Sequence, residues 1–219
     1  MSIRISSLTP GPVIGTQAAR VSVLAGEGRL SLRARAGLEA LGHALGLTLP
    51  DRIGRRAASG TVEAIRLGPD EWTILAPAGA VAGLCDACAA IHGEHPHSLV
   101  DISGREVTLS IEGPGAAELL TLGCPRDIAT IAAGEGRRTV FDGASVVLWR
   151  DGDDRFRMDV WNSFADHVAH LLQTGCKELA AEADADRADR LEKHRLAGRS
   201  PDLRGLSGSP GLEAGGGSQ

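Results

Sequence analysis

The strongest constraint on the fold is a series of short apolar runs of strand length that are joined by turns. Residues 61–67 and 72–75 flank the turn Gly68-Pro69-Asp70-Glu71. A turn this short joins antiparallel strands, because a parallel pair needs a crossover of a dozen or more residues. Similar runs occupy 21–24, 30–33, 98–102, 107–111, 139–141, 146–149 and 156–161. We expect a hairpin around Gly26 to Gly28 to join the first two of these, and the runs 98–102 and 107–111 to meet at Asp101–Gly104.

Helical patterns alternate with these runs. Leucines at 38, 41, 45 and 49 recur at spacings of three and four, which predicts an amphipathic helix that ends before Pro50. Further helices are predicted over 80–92, 116–122 and 164–172. Two sets of antiparallel strands covered by helices predict an α+β fold of split antiparallel sheets with helices, built as paired ferredoxin-like units.

The sequence divides into three segments by character. Residues 1–18 are predicted to be an N-terminal loop, and residues 19–180 an α+β domain with subregions of about 19–95 and 96–180. Residues 181–219 form a tail that is first charged and then rich in Gly and Ser, which predicts flexibility. Within this tail, the stretch 184–196 could extend a helix.

Composition narrows the function. The net charge is −5 and the sequence pI is about 5.8, whereas nucleic-acid binding rests on a clustered basic surface. No apolar run is long enough to span a bilayer, and the start lacks the pattern of a secretory signal. We therefore predict a cytoplasmic protein that binds neither nucleic acid nor membrane and whose four cysteines are reduced thiols.

A metal site is one hypothesis. Cys85 and Cys88 are followed by His92, His95 and His97, and residues at i, i+3 and i+7 share a helix face. Structural zinc sites usually take ligands from two separated segments, and thiols within an Ala-rich helix are typical apolar filler. We therefore predict no metal, and keep a zinc module as an alternative.

The segment Glu112–Glu118 follows a strand and opens a helix, as a dinucleotide-binding loop does. Glu118 stands where the third glycine would be, and a parallel βαβ context is absent. The sequence also lacks a Walker loop, a Gly-x-Ser-x-Gly elbow and a His-Glu-x-x-His motif. We therefore predict ordinary helix initiation here and no cofactor bound by this chain.

Acidic and basic residues offer candidates for catalysis. A general base could come from Asp101, Asp127, Asp142 or Asp159. An anionic substrate could be held by Arg105, Arg126, Arg137 or Arg138. Asp127 and Asp142 lie in turn-like sequence, where local capping accounts for them, and Asp159, in a strand beside Trp161, is the acid to examine for burial. No histidine or second acid is placed by the sequence to complete a pair, so we predict no catalytic residue.

The three tryptophans, Trp72, Trp149 and Trp161, have two interpretations. The preferred one places them in the core. The alternative places one or more of them at a protein interface, where Trp is enriched.

Five phrases together resemble a known family, the gamma subunit of heterotetrameric sarcosine oxidase. The resemblance covers about residues 21–172 and is also seen, more loosely, with the folate-binding domain of aminomethyltransferases. The phrases are Leu67–Trp72, Val100–Arg105, Glu112–Ala117, Leu122–Asp127 and the stretch Trp149 to Phe164, which includes Asp159–Phe164.

The resemblance implies the aminomethyltransferase-like split α+β fold and a complex with alpha, beta and delta subunits. That complex oxidatively demethylates sarcosine to glycine with release of hydrogen peroxide and, with tetrahydrofolate, forms methylenetetrahydrofolate. FAD, FMN, NAD, zinc and tetrahydrofolate are expected on the partner subunits. The chain is shorter than an aminomethyltransferase and lacks a recognisable set of folate-binding residues, so we expect a non-catalytic subunit that supports assembly against the alpha subunit.

The predicted partner contacts are Trp72, Asp101, Arg105, Asp159 and Trp161. The alternative function is an independent folate-binding aminomethyltransferase-like protein, which would use Asp101 or Asp159 near a central cavity.

Overall fold

A computed structural model describes residues 8–197 of the chain. Its strands are β1 Gly11–Gly15, β2 Arg20–Val23, β3 Gly28–Ala34, β4 Arg56–Ser59, β5 Val62–Gly68, β6 Glu71–Ala76, β7 His97–Asp101, β8 Glu106–Glu112, β9 Gly136–Phe141, β10 Ala144–Arg150 and β11 Arg155–Trp161. Its α-helices are α1 Leu38–Leu45, α2 Val81–Ile91, α3 Ala116–Thr121 and α4 Asn162–Ala197. Short 3₁₀ helices occupy Ala78–Ala80 and Ile128–Thr130.

The strands form two antiparallel sheets. Sheet A has six strands in the order β1-β2-β8-β11-β10-β9, and sheet B has five in the order β4-β5-β6-β3-β7. Neighbouring strands pair antiparallel in both sheets. The predicted α+β class with split antiparallel sheets is confirmed.

The connectivity differs from the prediction at two places. The prediction of a hairpin around Gly26 to Gly28 is wrong. Strand β2 pairs with β8 in sheet A, whereas β3 pairs with β6 and β7 in sheet B. In the same way, β7 and β8 follow each other in sequence but lie in different sheets. The division near residue 95 therefore does not separate the sheets. Sheet A contains the N-terminal strands β1 and β2, and sheet B contains β7 from the second half.

The prediction of a loop over residues 1–18 is wrong for residues 11–15. They form the edge strand β1, which pairs with β2 from Gly11 to Gly15. Pro12 is compatible with this position because an edge strand leaves one row of backbone donors unused. The register shifts between Pro12 and Ile14, as a β-bulge does. Residues 1–7 lie outside the described part of the chain.

Three apolar clusters hold the layers together. One lies between sheet A and the helices α3 and α4, and a second lies between sheet B and the helices α1 and α2. The third joins the two sheets and consists of Ile65, Leu67, Leu75, Val147 and Trp149. Strand side chains alternate between these environments, since successive residues of a strand point to opposite faces. The strand faces turned away from the helices are the ones that meet between the sheets.

The last helix, α4, is longer than the helix predicted over residues 164–172. The first compact unit of the chain ends at Ala181, and a second unit begins at Glu182. Of that second unit the structure describes residues 182–197, which are helical and whose side chains are exposed as far as residue 195. The helical alternative for 184–196 is thus present, and the predicted flexible stretch from Ser200 lies outside the described residues. Within residues 8–197 no helix is long and apolar enough to cross a membrane.

Candidate functional site: the polar interface between the two sheets

A buried arginine joins the two sheets. Arg29 on β3 is 4% exposed, and Asp159 on β11 is 2% exposed. Both terminal nitrogens of the guanidinium bond this carboxylate. The distance from Nη2 to Oδ1 is 2.9 Å, and that from Nη1 to Oδ2 is 2.8 Å. Nη1 also lies 2.5 Å from Glu106 Oε2, and Nη2 donates to Thr108 Oγ1 at 2.9 Å. One side chain of sheet B is therefore bonded to two strands of sheet A.

Asp159 is fully engaged by its neighbours. In addition to the two bonds from Arg29, its Oδ1 accepts from Thr108 Oγ1 at 2.6 Å and its Oδ2 accepts from Trp149 Nε1 at 2.6 Å. A carboxylate has about four acceptor positions, and these four bonds use them. Burial would lower the pKa of Arg29, but Asp159 and Glu106 outweigh that effect and raise the pKa. Arg29 is therefore held as a cation, and the four bonds leave Asp159 no free acceptor with which to act as a general base.

A second ionic cluster surrounds Trp149. Arg56 and Arg157 place their guanidiniums 5.2 Å and 4.9 Å from the ring centroid, in cation–π geometry. Asp151 bridges both arginines, at 2.7 Å from Arg56 Nη1 and 2.7 Å from Arg157 Nε. Glu63 on β5 bonds the same two arginines and thereby connects sheet B to β11 of sheet A. Burial would raise the pKa of Asp151, but the two arginines outweigh it and hold the pKa below its ordinary value.

The pKa of Asp151 predicts a pH dependence of stability. Because the pKa is lower in the folded chain than in the unfolded one, the ionised carboxylate stabilises the fold above pH ~4. This contribution to stability should be lost as the pH falls through the pKa of Asp151 in the folded chain. We expect the gap in unfolding free energy between the wild type and Asp151→Asn to be constant from about pH 5 to 8 and to shrink below about pH 4. Urea unfolding across this range measures the gap, and a gap independent of pH would contradict the assignment.

A cavity of about 310 Å³ is lined by residues of both sheets. Its walls come from sheet B through Ser31, Glu71 and Thr73, and from sheet A through Arg105, Glu106, Arg138, Ser145, Val146, Val147, Asp159 and Trp161. The register explains the sheet A wall. Val147 lies opposite both Arg138 and Asp159, and Trp161 lies opposite Glu106, so these side chains form adjacent rows on one face. The cavity is polar, with charged groups of both signs.

Most of the candidate acids have structural partners. Asp127 accepts from the backbone N–H of Ala129 at 2.9 Å, which is the local capping that was predicted. Asp101 accepts from the N–H and hydroxyl of Ser103, as in an Asx turn. Asp142 occupies a left-handed position at φ 45°, in the tight Asp-Gly turn between β9 and β10.

The structure adds one pair that the sequence did not reveal. His167 Nε2 lies 2.8 Å from Asp142 Oδ2, although no histidine had been expected to complete a pair with any of these acids. Both side chains are more than half exposed. Solvent screens an exposed pair of this kind, so we interpret it as a link between α4 and the β9–β10 turn.

The four candidate arginines do not form one site. Arg105 and Arg138 line the cavity together. Arg138 bonds Glu71 of sheet B, at 2.9 Å from Nη1 to Oε2. That hydrogen bond, stronger than the opposing effect of burial, holds the pKa of Glu71 below its ordinary value. Arg137 bonds Glu135 instead, and Arg126 is not among the residues that line the cavity.

The tryptophans separate into two classes. Trp72 and Trp149 are 0% exposed, which confirms the core interpretation for both. Trp161 is 46% exposed, so the core interpretation is wrong for it. Its ring lies at the end of β11 with the Arg105 guanidinium 5.7 Å from the centroid. A role for Trp161 at a protein interface stays a prediction.

Two of the five predicted partner contacts are buried within this chain. Trp72 and Asp159 have no surface with which to reach another chain, so the predicted contact does not fit these two side chains. Asp101, Arg105 and Trp161 are at least partly accessible, and their contact with a partner remains a proposal.

The Cys/His cluster does not form a metal site in the described structure. Within residues 8–197 no three His, Cys, Asp or Glu side chains are placed to hold a metal ion. Cys88 packs in the core between sheet B and its helices, and burial raises the pKa of its thiol and that of Cys85. All four cysteines are free thiols.

The glycines of the segment 112–118 serve chain packing. The N–H of Gly115 donates to the carbonyl of Ala18 at 2.8 Å. A Cβ at Gly113 would lie 2.9 Å from the same oxygen, and one at Gly115 would lie 3.1 Å from it. The backbone that a phosphate would need is therefore occupied by the chain itself, which does not fit a bound dinucleotide.

Comparison with known proteins identifies the family. The sequence profile described as "Sarcosine oxidase, gamma subunit family" matches residues 33–178 of the 219. The chain belongs to this family. A sarcosine oxidase subunit gamma from Arthrobacter sp is 35% identical over 150 residues, which cover 67% of this chain and 72% of the relative. Another, from Corynebacterium sp. (strain U-96), is 32% identical over 183 residues, covering 80% and 88%.

Solved structures agree with this assignment. A chain of heterotetrameric sarcosine oxidase from Corynebacterium sp. U-96, in complex with pyrrole 2-carboxylate, matches with a TM-score of 0.69 and 30% identity. The match covers 77% of this chain and 89% of that one. Aminomethyltransferase T of the glycine cleavage system from Bartonella henselae matches with a TM-score of 0.53 at 18% identity, over 72% of this chain and 46% of that one. The second match shows a shared fold alone.

Proposed function

We propose that this chain is the non-catalytic gamma subunit of a heterotetrameric sarcosine oxidase and supports assembly by packing against the alpha subunit. The observation that carries the proposal is the match over 89% of a chain from a solved heterotetrameric sarcosine oxidase. The complex oxidatively demethylates sarcosine to glycine and hydrogen peroxide and passes the one-carbon unit to tetrahydrofolate. The beta and delta subunits complete it.

The side chains of the sheet interface support a structural role. Arg29 of sheet B bonds both Asp159 and Glu106 of sheet A, and the cluster around Trp149 also connects the two sheets. A general acid or base must be free to reach a substrate atom, whereas Asp159 uses its acceptors within the fold. In this proposal the chemistry takes place on partner subunits, which hold FAD, FMN, NAD, zinc and tetrahydrofolate.

Co-purification tests the proposal. We expect the tagged full-length chain, expressed in cells that contain the other subunits, to bring down flavoprotein subunits in fixed stoichiometry. Omitting the chain from co-expression should reduce the amount of assembled oxidase on size-exclusion chromatography. Full assembly and activity without the chain would overturn the proposed role, and calorimetric binding of a reduced folate by the purified chain would favour an independent folate-binding protein.

A further inference from the structure

Two Asp-Gly dipeptides lie in neighbouring turns of sheet A. Asp142-Gly143 joins β9 to β10, and Asp151-Gly152 follows β10 on the way to β11. In such a dipeptide the backbone nitrogen of the glycine can attack the aspartyl side chain, because glycine has no Cβ to shield that nitrogen. The reaction needs an N–H that is not engaged elsewhere and a carboxyl group that can turn toward it. The two dipeptides differ in both respects.

The carboxyl group of Asp142 is open to solvent. Its side chain is 53% exposed, and its Oδ2 lies 2.8 Å from Nε2 of His167, which is exposed as well. Solvent screens a contact of this kind, so it restrains the carboxyl group weakly. Within residues 8–197 no other side chain bonds this carboxyl group, and only the weak contact with His167 keeps it from turning toward Gly143.

The backbone nitrogen of Gly143 is available too. Gly143 is exposed, and its N–H has no hydrogen-bond acceptor in the described part of the chain. A Cβ at this glycine would have no heavy atom within 4 Å beyond those of its chain neighbours, so nothing packs over that side of the backbone. The attacking nitrogen and the carboxyl carbon of Asp142 therefore belong to adjacent residues of an open turn.

Asp151-Gly152 is engaged at both groups. Burial would raise the pKa of the Asp151 carboxyl group, but the guanidiniums of Arg157 and Arg56 outweigh it and hold the pKa below its ordinary value. An ionised carboxylate is a poor target for a nucleophile, because an oxygen would have to leave without a proton. The N–H of Gly152 donates to the carbonyl of Arg155 at 3.2 Å. Ring closure at Asp151 must therefore first break bonds to charged groups and a backbone hydrogen bond.

We propose that Asp142 is a site of spontaneous isoaspartate formation in the folded chain, whereas Asp151 is protected. The nitrogen of Gly143 forms a bond to Cγ of Asp142, and the bond from Cγ to one carboxyl oxygen breaks. That oxygen leaves as water, carrying the carboxyl proton and the proton of the nitrogen. Water then opens the cyclic imide at either carbonyl. Opening at the backbone carbonyl leaves the main chain running through the former side-chain carbonyl, with no net change in mass.

The modification would alter the loop that sets the β9–β10 hairpin. Phe141 and Ala144 pair directly across Asp142 and Gly143, and an isoaspartyl residue adds a methylene to the main chain between them. Loop length fixes the register of a hairpin, so the pairing of β9 at the edge of sheet A should loosen. This inference concerns a modification of the chain itself and does not rest on the proposed function.

Ageing of the purified full-length chain tests the proposal. The chain is kept at physiological temperature for several weeks, folded or in urea, and isoaspartate is located by tryptic digestion and electron-transfer mass spectrometry. Arg138, Arg150 and Arg155 place the two dipeptides in different tryptic peptides. In the folded chain we expect isoaspartate to form at least about tenfold faster at Asp142 than at Asp151, because the bonds to Asp151 must break first. In urea the two rates should be similar.

The matched variants are Asp142→Glu and Asp151→Glu, because a glutamyl side chain would have to close a larger ring. Asp142→Glu should remove most of the isoaspartate that the folded chain forms in this region, and Asp151→Glu should leave it unchanged. Circular dichroism confirms that each variant is folded.

The outcomes decide the inference. Isoaspartate at Asp142 in urea but not in the folded chain would show that the folded turn blocks ring closure, which overturns the proposal. Equal rates at the two positions of the folded chain, or a faster rate at Asp151, would overturn it as well. None of these results bears on the proposed function, which the co-purification experiment tests separately.

Discussion

Replacing Asp159 by Ala should lower the free energy of unfolding by about 3–5 kcal/mol, the cost of leaving a buried charge without its partner. Asp159 is 2% exposed and bonds Arg29 in a bidentate arrangement, so its removal leaves the guanidinium in the interior with Glu106 alone. Trp149 Nε1 and Thr108 Oγ1 lose their acceptor in the same variant. Urea unfolding followed by circular dichroism measures the change.

The control for this substitution is Asp154→Ala, since Asp154 is exposed in the turn between β10 and β11. A surface substitution of this kind should change stability by no more than about 0.5 kcal/mol. The double variant Arg29→Met with Asp159→Leu should be less destabilised than the sum of the single changes, because it removes both charges. Equal effects of Asp159→Ala and Asp154→Ala on the free energy of unfolding would show that the ionic contact between the sheets does not stabilise the fold.

Replacing Trp149 by Ala should destabilise the chain by about 3–5 kcal/mol, as expected for a large buried aromatic residue. The ring is 0% exposed, packs with Ile65, Leu67 and Leu75 of sheet B, and lies under two guanidiniums. Its loss would open a void between the sheets and remove a hydrogen bond to Asp159.

Trp161→Ala is the matched comparison, because it removes the same side chain from a position that is 46% exposed. We expect it to cost less than about 1 kcal/mol in the isolated chain and to act on association instead. Chemical denaturation of both variants distinguishes the roles. A large loss of stability in Trp161→Ala, or a small loss in Trp149→Ala, would contradict the assignment of these two residues.

The sequence predicted the local elements better than their arrangement. Strands β5 and β6 are recognisable because the turn residues Gly68–Glu71 lie between two apolar runs, and the structure forms that hairpin. The link at Gly26 to Gly28 has the same turn-like composition, yet it carries the chain from sheet A to sheet B. The local sequence pattern shows where a strand ends. Contacts between residues far apart in sequence decide which strand lies beside it.

The polar interface was missed for the same reason. The sequence singles out Asp159 as the acid to examine for burial, and it is 2% exposed, but nothing in the sequence points to its partner Arg29, which lies 130 residues away. The alternation of Arg29, Ser31 and Arg33 with buried leucines is typical of a strand with one solvent-facing side. Here that side meets a second sheet. Arg56, Glu63, Asp151 and Arg157 were missed as well, because each fits an ordinary exposed charge until the two sheets are brought together.

We propose that this chain builds and presents a surface while the chemistry belongs to its partners. The decisive measurement is sarcosine-dependent release of hydrogen peroxide by the purified chain alone and by the same chain in its complex. We expect peroxide from the complex and none above background from the isolated chain. Sarcosine-dependent peroxide production by the isolated chain, at a rate that follows its concentration, would show that the chain carries out the chemistry itself.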